Sequence, residues 1–312
     1  MEMSYLKQGL MRSPNQSDMS YNKFERAYAK INLNLNIINK GNDNYHNLDS
    51  DIIFANLYDT ISIRSKNTKN NKIKLIINGE FKNKLDRNIK ENIIYKSAHY
   101  FMKKYKINND LIISLKKSLP IASGIGGGSA DAAATLRKLS EIFNISKKSF
   151  NNEFLKEVSK KLGADIPACI FSNSLNMKGA GEQIFKLPMS LKKILNLHTY
   201  IILVNPNISL STKLVFNNWE NNSNRTRIFY RNKNYPKIGI NNLKPAAENI
   251  ESSIILAQKL LSHQDGVKFL GMSGSGATCF GIFNNKGLAI KAKYNIKKIR
   301  PKWWIGFSSI RN

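Results

Sequence analysis

One stretch of the chain, from Leu119 to Ala134, constrains the fold more than any other and reads LPIASGIGGGSADAAA. It places four glycines within five positions, and apolar residues at helical spacing follow. Glycine allows backbone angles that other residues resist, and it lets a ligand approach the main chain closely. The free N–H groups at the start of a helix attract anions, because the positive end of the helix dipole lies there. The stretch therefore predicts a phosphate-binding loop that leads into a helix.

Two common phosphate-binding motifs do not fit this first glycine loop (residues 119–128). The loop of the P-loop nucleotide triphosphatases has Lys and then Ser or Thr after the last glycine, whereas Ser129 and Ala130 follow Gly128 here. The dinucleotide fingerprint has glycine at its first, third and sixth positions, and the sixth position counted from Gly124 is Ser129. A flexible linker is the remaining alternative, but linkers are not typical between a predicted strand, Leu111–Lys117, and an amphipathic helix.

Composition limits the class of protein. With 312 residues, 42% of them hydrophobic, the chain can form one large domain or two moderate ones around a substantial core. The first residues lack the apolar centre of a signal peptide, and no apolar stretch has the length of a membrane-spanning helix. Two cysteines are too few for a disulfide framework. We therefore expect a cytoplasmic protein without a membrane partner.

The net charge of +28 is typical of many nucleic-acid-binding proteins. Here, however, the lysines are spread along the whole chain together with Asn and Ile, which favours a general compositional bias over a binding surface. The chain also lacks an aromatic-rich basic motif of the RNA-recognition kind. We expect no specific nucleic-acid partner, and a basic RNA-binding protein remains an alternative from another functional class. The charge favours anionic substrates through long-range attraction.

The pattern along the chain indicates strands and helices without regular alternation, which predicts the α+β class. Residues 1–23 are polar and predict a disordered extension. Lys30–Ile38 alternates, which predicts a half-buried strand with a lysine and asparagines on its open face. Ala168–Phe171 is interpreted as an apolar strand, Ala246–Leu261 as one helix and residues 217–237 as a surface insertion. A second glycine loop (residues 271–277) precedes another strand.

These motifs together resemble the GHMP kinases, the family of galactokinase, homoserine kinase and mevalonate kinase. The resemblance covers the chain from about Ala29 onward, and its motifs are AKINLNL (29–35), NYHNL (44–48), LPIASGIGGGSADAA (119–133), GADIP (163–167) and GMSGSGATCF (271–280). The first glycine loop alone indicates only the superfamily. The other motifs are similar to those of the member that phosphorylates a cytidine diphosphate-linked methylerythritol in isoprenoid precursor synthesis. One departure is Ala122-Ser123, where the family usually has a glycine-rich run.

The resemblance implies a two-domain GHMP kinase fold of the α+β class. It has a ribosomal-protein-like N-terminal domain, expected here over residues 24–175, and a ferredoxin-like C-terminal domain, expected over residues 176–312. The implied cofactors are ATP and Mg²⁺, and the implied partner is the small-molecule substrate. The state is expected to be a monomer or a homodimer.

The resemblance also implies site residues. Lys30 and Asp165 are expected to be catalytic. The cofactor-binding residues are expected to be Asn92, Ile93 and Lys117 near the adenine, and Pro120, Ile121, Ala122, Ser123, Gly124, Ile125, Gly126, Gly127, Gly128, Ser129 and Ala130 around the phosphates, with Ser129 also near Mg²⁺. The substrate-binding residues are expected to be Asn32, Tyr45, His46, Phe216, Gly274, Ser275 and Gly276.

These residue types suit phosphoryl transfer, which needs positioning and charge stabilisation more than covalent chemistry. Asp165 is expected to accept the proton of the hydroxyl, and Lys30 to add positive charge at the acceptor. A structural role remains an alternative for three of the expected substrate-binding residues. Tyr45 and Phe216 are candidate core aromatics, and His46 is a candidate structural hydrogen bonder. Another small-molecule kinase of the family, such as homoserine kinase, also remains an alternative.

Overall fold

The computed structural model describes residues 24–41, 46–68, 70–85, 88–195, 199–222 and 238–311, and the predicted extension, 1–23, lies outside them. Its strands are β1 Glu25–Asn32, β2 Asn36–Lys40, β3 His46–Lys66, β4 Ile73–Asn78, β5 Asp110–Lys116, β6 Leu175–Gly179, β7 Gln183–Lys186, β8 Tyr200–Asn205, β9 Val267–Met272, β10 Cys279–Phe283 and β11 Trp304–Arg311. Its α-helices are α1 Ile93–Lys104, α2 Gly127–Ile142, α3 Asn152–Lys161, α4 Ile166–Phe171, α5 Met189–Ile194, α6 Thr212–Asn222, α7 Lys244–Ile250, α8 Ser253–Ser262 and α9 Lys286–Ile299.

The long strand β3 is the centre of one sheet. It pairs antiparallel with β1, β2, β5, β6 and β11. The main path across the sheet is β4-β5-β3-β11-β8-β10-β9, and β4 and β5 run parallel. Since β11 pairs with both β3 and β8, strands from the beginning and the end of the chain form one continuous sheet.

Three buried apolar clusters lie against this sheet. The first packs α1 to α4 on β1, β3 and β5, and includes Phe101 and Leu136. The second packs α7 to α9 on β8 to β11, and includes Ala257. The third joins β1 to β8 and β10 through contacts that include Ile31 and Leu203. The third cluster fixes one face of β1. The other face of the strand is thereby held where the N-terminal and C-terminal halves of the chain meet.

Several sequence predictions are confirmed. The elements mix helices and strands without regular alternation, as the α+β class requires. The first glycine loop leads into the 16-residue helix α2, whose buried face includes Leu136 and Leu139. The strand predicted over Leu111–Lys117 is β5.

The prediction for Lys30–Ile38 is wrong in two respects. It forms two strands, because the carbonyl of Leu33 and both backbone groups of Leu35 hydrogen-bond to residues 239–242, and only the N–H of Leu33 still donates to Asp51 on β3. Its polar face is not open, since Lys30, Asn32 and Asn34 are between 1% and 3% exposed. The cover consists of segments far away in sequence, which an alternating pattern does not reveal.

Two further assignments are wrong for local reasons. Ala168–Phe171 is not a strand but most of helix α4, which has proline in its first turn. A short apolar run does not distinguish a buried strand from a buried helix. Ala246–Leu261 is not one helix, because the chain breaks between α7 and α8 at Glu251, which has an extended backbone.

Two predictions lie wholly or partly beyond what the structure tests. Of the predicted insertion over residues 217–237, residues 217–222 belong to helix α6, and residues 223–237 lie outside the described part. The domain boundary near residue 175 stays a prediction. Strand β6 begins there and pairs with β3.

A buried ionic cluster supports the entry to the first glycine loop. Lys117 Nζ lies 2.6 Å from Asp59 Oδ2 on β3 and 2.6 Å from Asp131 Oδ2 on α2, and the three side chains are at most 4% exposed. The other oxygen of Asp59 accepts a hydrogen bond of 2.8 Å from the backbone N–H of Leu119. One lysine thus ties a strand, a helix and the loop between them.

The charges in this cluster are unequal, with two carboxyl groups to one ammonium group. Burial lowers the pKa of Lys117, but the charges of Asp131 and Asp59 more than offset this and raise it overall. Burial raises the pKa of Asp131 well above its usual value, and the neighbouring Asp59 adds to the effect despite Lys117. Lys117 therefore supplies the positive charge that stabilises the two buried carboxyl groups.

Replacing Lys117 by Met should lower the free energy of unfolding at neutral pH by about 3–5 kcal/mol, because it leaves buried negative charge unpaired. Protonation of the carboxyl groups removes that charge, so the deficit should shrink as the pH falls. Denaturant unfolding at several pH values measures both effects. Lys116→Met on the exposed face of β5 is the matched control, and equal losses in the two variants would contradict the role of the cluster.

Candidate active site

A cavity of about 670 Å³ opens where β1, the first glycine loop, helix α6 and the second glycine loop meet. It brings together most of the site residues that the sequence predicts. The predicted residues that line it are Lys30, Asn32, His46, Ala122, Ser123, Gly124, Gly126, Gly127, Gly128, Ser129, Asp165, Phe216, Gly274 and Ser275.

The other predicted residues have different positions. Pro120, Ile121, Ile125, Ala130 and Gly276 belong to the two glycine loops or their continuation but do not line the cavity, and Tyr45 lies outside the described residues. The three residues expected near adenine also lie beyond the cavity.

Each of those three has a structural contact of its own. Asn92 caps α1 by accepting a hydrogen bond from Ile94 N–H, and the side chain of Ile93 lies beside Gly128. Lys117 is in the buried ionic cluster. Their proximity to adenine stays a prediction.

Lys30 and Asp165 form an ion pair in the cavity wall, with 2.7 Å between Nζ and Oδ1. The lysine side chain is 3% exposed, whereas the aspartate side chain is 35% exposed and so is accessible from the cavity. Asp165 stands at the N-terminus of α4 without capping that helix through its side chain. A Cβ atom at Gly126 would lie 3.1 Å from Lys30 Cβ. The first glycine loop therefore packs directly on Lys30, which holds the lysine of the ion pair in place.

The two glycine loops contact each other backbone to backbone. Gly124 has a φ of 77°, and a Cβ atom there would lie 2.3 Å from the carbonyl oxygen of Ser273. A Cβ atom at Gly274 would lie 2.8 Å from the carbonyl oxygen of Gly124. The Ser273 hydroxyl donates to that same oxygen over 2.9 Å. Neither glycine can be replaced without separating the loops, which form one unit around the cavity.

Helix α2 begins at this unit and directs its N-terminus at the cavity. Gly126 is the N-cap residue in the left-handed conformation, and Gly127, Gly128 and Ser129 form the first turn. No acidic residue lies in that turn. Backbone N–H groups without intrahelical partners and the helix dipole make this end suitable for a phosphate group.

The opposite end of the cavity is an aromatic cluster of His46, Phe216 and Trp219. The rings of His46 and Phe216 are stacked with centroids 4.8 Å apart, and Trp219 meets His46 edge-on at 5.6 Å. Glu220 Oε1 lies 3.0 Å from His46 Nε2 and 2.8 Å from Lys40 Nζ. The hydrogen bond from Lys40 lowers the pKa of Glu220 below its usual value although burial opposes this. This end therefore combines aromatic surface with opposite charges.

Sequence reasoning missed several residues at this end. Helix α6 contributes Thr212, Lys213, Asn217 and Glu220 to the cavity in addition to Phe216. Their i, i+4 and i+8 spacing fits one face of a helix, which was the available signal. Sequence analysis interprets residues 217–237 as a surface insertion and makes no assignment for residues 212–215, so it does not detect the helix face.

The chain is similar to known proteins over most of its length. Family models match it at residues 92–173, described as the GHMP kinases N terminal domain, and at residues 226–301, described as GHMP kinases C terminal. A 4-diphosphocytidyl-2-C-methyl-D-erythritol kinase of Clostridium acetobutylicum is 35% identical over 292 residues, covering 90% of this chain and 98% of that protein. The chain belongs to the GHMP kinase family.

Solved structures share the GHMP kinase fold with the chain. A crystal structure of 4-(cytidine 5'-diphospho)-2C-methyl-D-erythritol kinase has a TM-score of 0.71 at 21% identity, covering 93% of this chain and all of that one. Homoserine kinase from Cytophaga hutchinsonii has a TM-score of 0.63 at 15% identity, covering 91% of this chain and 95% of that one. The fold predicted from the sequence is confirmed.

Two further observations bear on what this GHMP kinase can bind. None of the helices that the structure describes combines the length and the apolar character that crossing a membrane requires. The described residues also contain no group of three or more His, Cys, Asp or Glu side chains that could hold a metal ion by themselves.

Ala122 stands where the family usually has a glycine-rich run, and it allows a test of the backbone geometry of the first glycine loop. Ala122 has a φ of 47°, in the left-handed region that costs a residue with a Cβ atom about 1–2 kcal/mol. Ala122→Gly should therefore raise the free energy of unfolding by about 0.5–1 kcal/mol. Ala134→Gly within helix α2 is the control and should lower it by about 1 kcal/mol. Denaturant unfolding measures both, and a loss in Ala122→Gly equal to that of the control would contradict the strained geometry.

Proposed function

We propose that this chain transfers the γ-phosphoryl group of ATP to the 2-hydroxyl group of 4-diphosphocytidyl-2-C-methyl-D-erythritol, in isoprenoid precursor synthesis. The single observation that supports it most is the Lys30–Asp165 pair, at 2.7 Å, in a cavity that also contains the N-terminus of α2. The identity of the alcohol rests on relatives that carry this name at 31–35% identity over about 90% of the chain.

ATP is the phosphoryl donor in this proposal, with its phosphates at the first glycine loop. The N–H groups of the first turn of α2 point to the same cavity as Asp165, so a phosphate bound there lies near the acceptor. Mg²⁺ usually binds through one or two protein oxygens together with substrate phosphates. The Ser129 hydroxyl, half-buried in the cavity wall, suits that role, and a cluster of three carboxylates is not required. When bound, Mg²⁺ would neutralise phosphate charge.

Asp165 acts as the general base in the proposed mechanism. Its exposed carboxylate accepts the proton of the attacking hydroxyl as the bond to phosphorus forms. Lys30, being buried against it, orients this carboxylate through the ion pair and adds positive charge near the transferred group. Their fixed positions reduce the rearrangement that the reaction requires.

The cytidine end of the substrate is proposed to bind at the aromatic cluster. Bases stack on aromatic side chains, and Phe216 lines the cavity with one side already against His46. The diphosphate would then lie between the aromatic cluster and the glycine loops. This division places the base and the reacting hydroxyl at opposite ends of the cavity.

Asp165→Asn should lower turnover by about 100- to 10,000-fold while substrate binding is retained, because the amide cannot accept the proton. Lys30→Met should also lower turnover. The double variant should lose less than the product of the two single losses, since the pair acts as a unit. Single-turnover measurement of ADP release with the cytidylyl alcohol checks this.

The control for this pair is Asp265→Asn, which breaks an exposed ion pair with Lys291 far from the cavity. Its turnover should equal that of the wild type. An Asp165→Asn enzyme within about threefold of the wild type would contradict the proposed base. Turnover with homoserine in place of the cytidylyl alcohol would favour the other kinase of the family.

Phe216→Ala should raise the KM for the cytidylyl alcohol about tenfold and leave the KM for ATP unchanged, because stacking contributes about 1–3 kcal/mol per base. Phe307→Ala is a matched control, since Phe307 is half-buried against the same apolar cluster but does not line the cavity. Steady-state kinetics with each substrate varied distinguish the roles. If Phe216→Ala weakens both substrates together, the residue is a core aromatic and the base lies elsewhere.

A further inference from the structure

The wall of the cavity next to Lys30 contains a buried amide whose two ends have different surroundings. Asn32 is 1% exposed and donates from Nδ2 to the hydroxyl of Ser50 over 2.8 Å. Its other side-chain atom, Oδ1, is buried and has no hydrogen-bond partner among the residues that the structure describes. Asn32 lines the cavity, and Gly274 lies next to Oδ1, since a Cβ atom at that glycine would be 3.4 Å from it. The amide therefore presents an unused acceptor beside the reacting pair.

The orientation of this amide follows from the hydrogen bonds behind it. The Ser50 hydroxyl donates its only proton to the backbone carbonyl oxygen of Asn34, which can only accept. Ser50 Oγ is then left as an acceptor toward Asn32, and only the Nδ2 end of the amide can meet it. A flipped amide would place Oδ1 against an oxygen that has no proton to offer, which is costly for a buried group.

The carbonyl of Asn34 is itself fixed. The side chain of Asn34 donates to Asp51 Oδ2 over 2.6 Å and accepts from the backbone N–H of Asp51 over 2.8 Å. The carboxylate of Asp51 also accepts from Asn176 over 3.0 Å. These side-chain contacts fix the position of Asn34. The polarity itself begins at the backbone carbonyl of Asn34, which can only accept, and passes through Ser50 to Asn32.

A second serine hydroxyl accepts a hydrogen bond from the backbone of Asn32. Its N–H donates to Ser273 Oγ over 3.0 Å, and that hydroxyl donates its own proton to Gly124 O. The two serine hydroxyls thus accept from Asn32 on both sides. What remains for a ligand is the acceptor Oδ1.

We propose that Ser50 is a positioning residue, which holds the Asn32 amide with Oδ1 facing the cavity to accept a hydrogen bond from a hydroxyl group of the alcohol substrate. The inference rests on the proposed function for the nature of that substrate. It assigns to Ser50, which is fully buried and does not touch the cavity, an effect on alcohol binding alone. A polyol with a hydroxyl at that position satisfies Oδ1, and an analogue with hydrogen or a methoxy group there does not.

The test compares Ser50→Ala with Ser97→Ala in steady-state kinetics with the cytidylyl alcohol and ATP varied in turn. Ser97 is a matched control because it is also fully buried, and its hydroxyl has no hydrogen-bond partner within the described part of the chain. Ser50→Ala should raise the KM for the alcohol roughly three- to tenfold, as expected for one hydrogen bond, with the KM for ATP unchanged. Ser97→Ala should change neither value. In an Asn32→Ala background, Ser50→Ala should have no further effect on the KM for the alcohol.

The outcomes separate this inference from the proposed function. Wild-type turnover of the cytidylyl alcohol tests the function, and the comparison of the two serine variants tests the positioning role. If the wild type is active and Ser50→Ala matches Ser97→Ala, or raises the KM for both substrates equally, the positioning role is overturned. If the wild type phosphorylates homoserine instead, the proposed function is overturned, and the same comparison with homoserine decides the role of Ser50.

Discussion

The arrangement of the site depends on a close backbone contact between two glycine loops that are about 150 residues apart in the sequence. Gly124 and Gly274 approach each other so closely that neither position has room for a Cβ atom. This contact sets the distance between the N-terminus of α2 and the strand β1 that carries Lys30. The hydroxyl of Ser273 bonds to both sides of the contact, since it accepts from Asn32 and donates to Gly124. The first glycine loop, the strand that carries Lys30 and the buried amide of Asn32 are therefore held together as one assembly.

The buried charges near the site matter more for its structure than the size of the net charge does. The net charge of +28 is spread over the surface, whereas the cations that shape the site are buried beside carboxylates. Lys117 balances the carboxyl groups beneath the loop, and Lys30 faces Asp165, whose carboxylate is accessible from the cavity. In low-dielectric surroundings such pairs are strong and directional, and surface lysines are screened by solvent. The interior pairs therefore shape the cavity more than the surface charge does.

The glycine loops and the α2 helix were predicted from the sequence because each is a local pattern with a direct physical meaning, whereas Lys30 and Asp165 were expected through the resemblance to the GHMP kinases. Sequence analysis was wrong or incomplete where a residue's contacts come from segments that are far away in the sequence. The position of Lys117 near adenine stays a prediction, but the sequence did not indicate its ionic partners Asp59 and Asp131, which come together only when β3 and α2 are packed. The open face expected for Lys30–Ile38 is buried for the same reason. Local ambiguity explains the rest, since the short apolar run at Ala168–Phe171 fits a strand and a helix equally well.

The position of β11 has a consequence for the order in which the protein folds during synthesis. This strand is the last element of the described chain, yet it inserts between β3 and β8 in the middle of the sheet. Until β11 has been synthesised, Phe54 and Ala55 of β3 lack their strand partner on that edge, and no strand links β8 to β3. The sheet is completed by contacts of very large sequence separation, which slow folding. β3 can pair earlier with β1, β2, β5 and β6, but the two parts of the sheet become continuous only when β11 is in place.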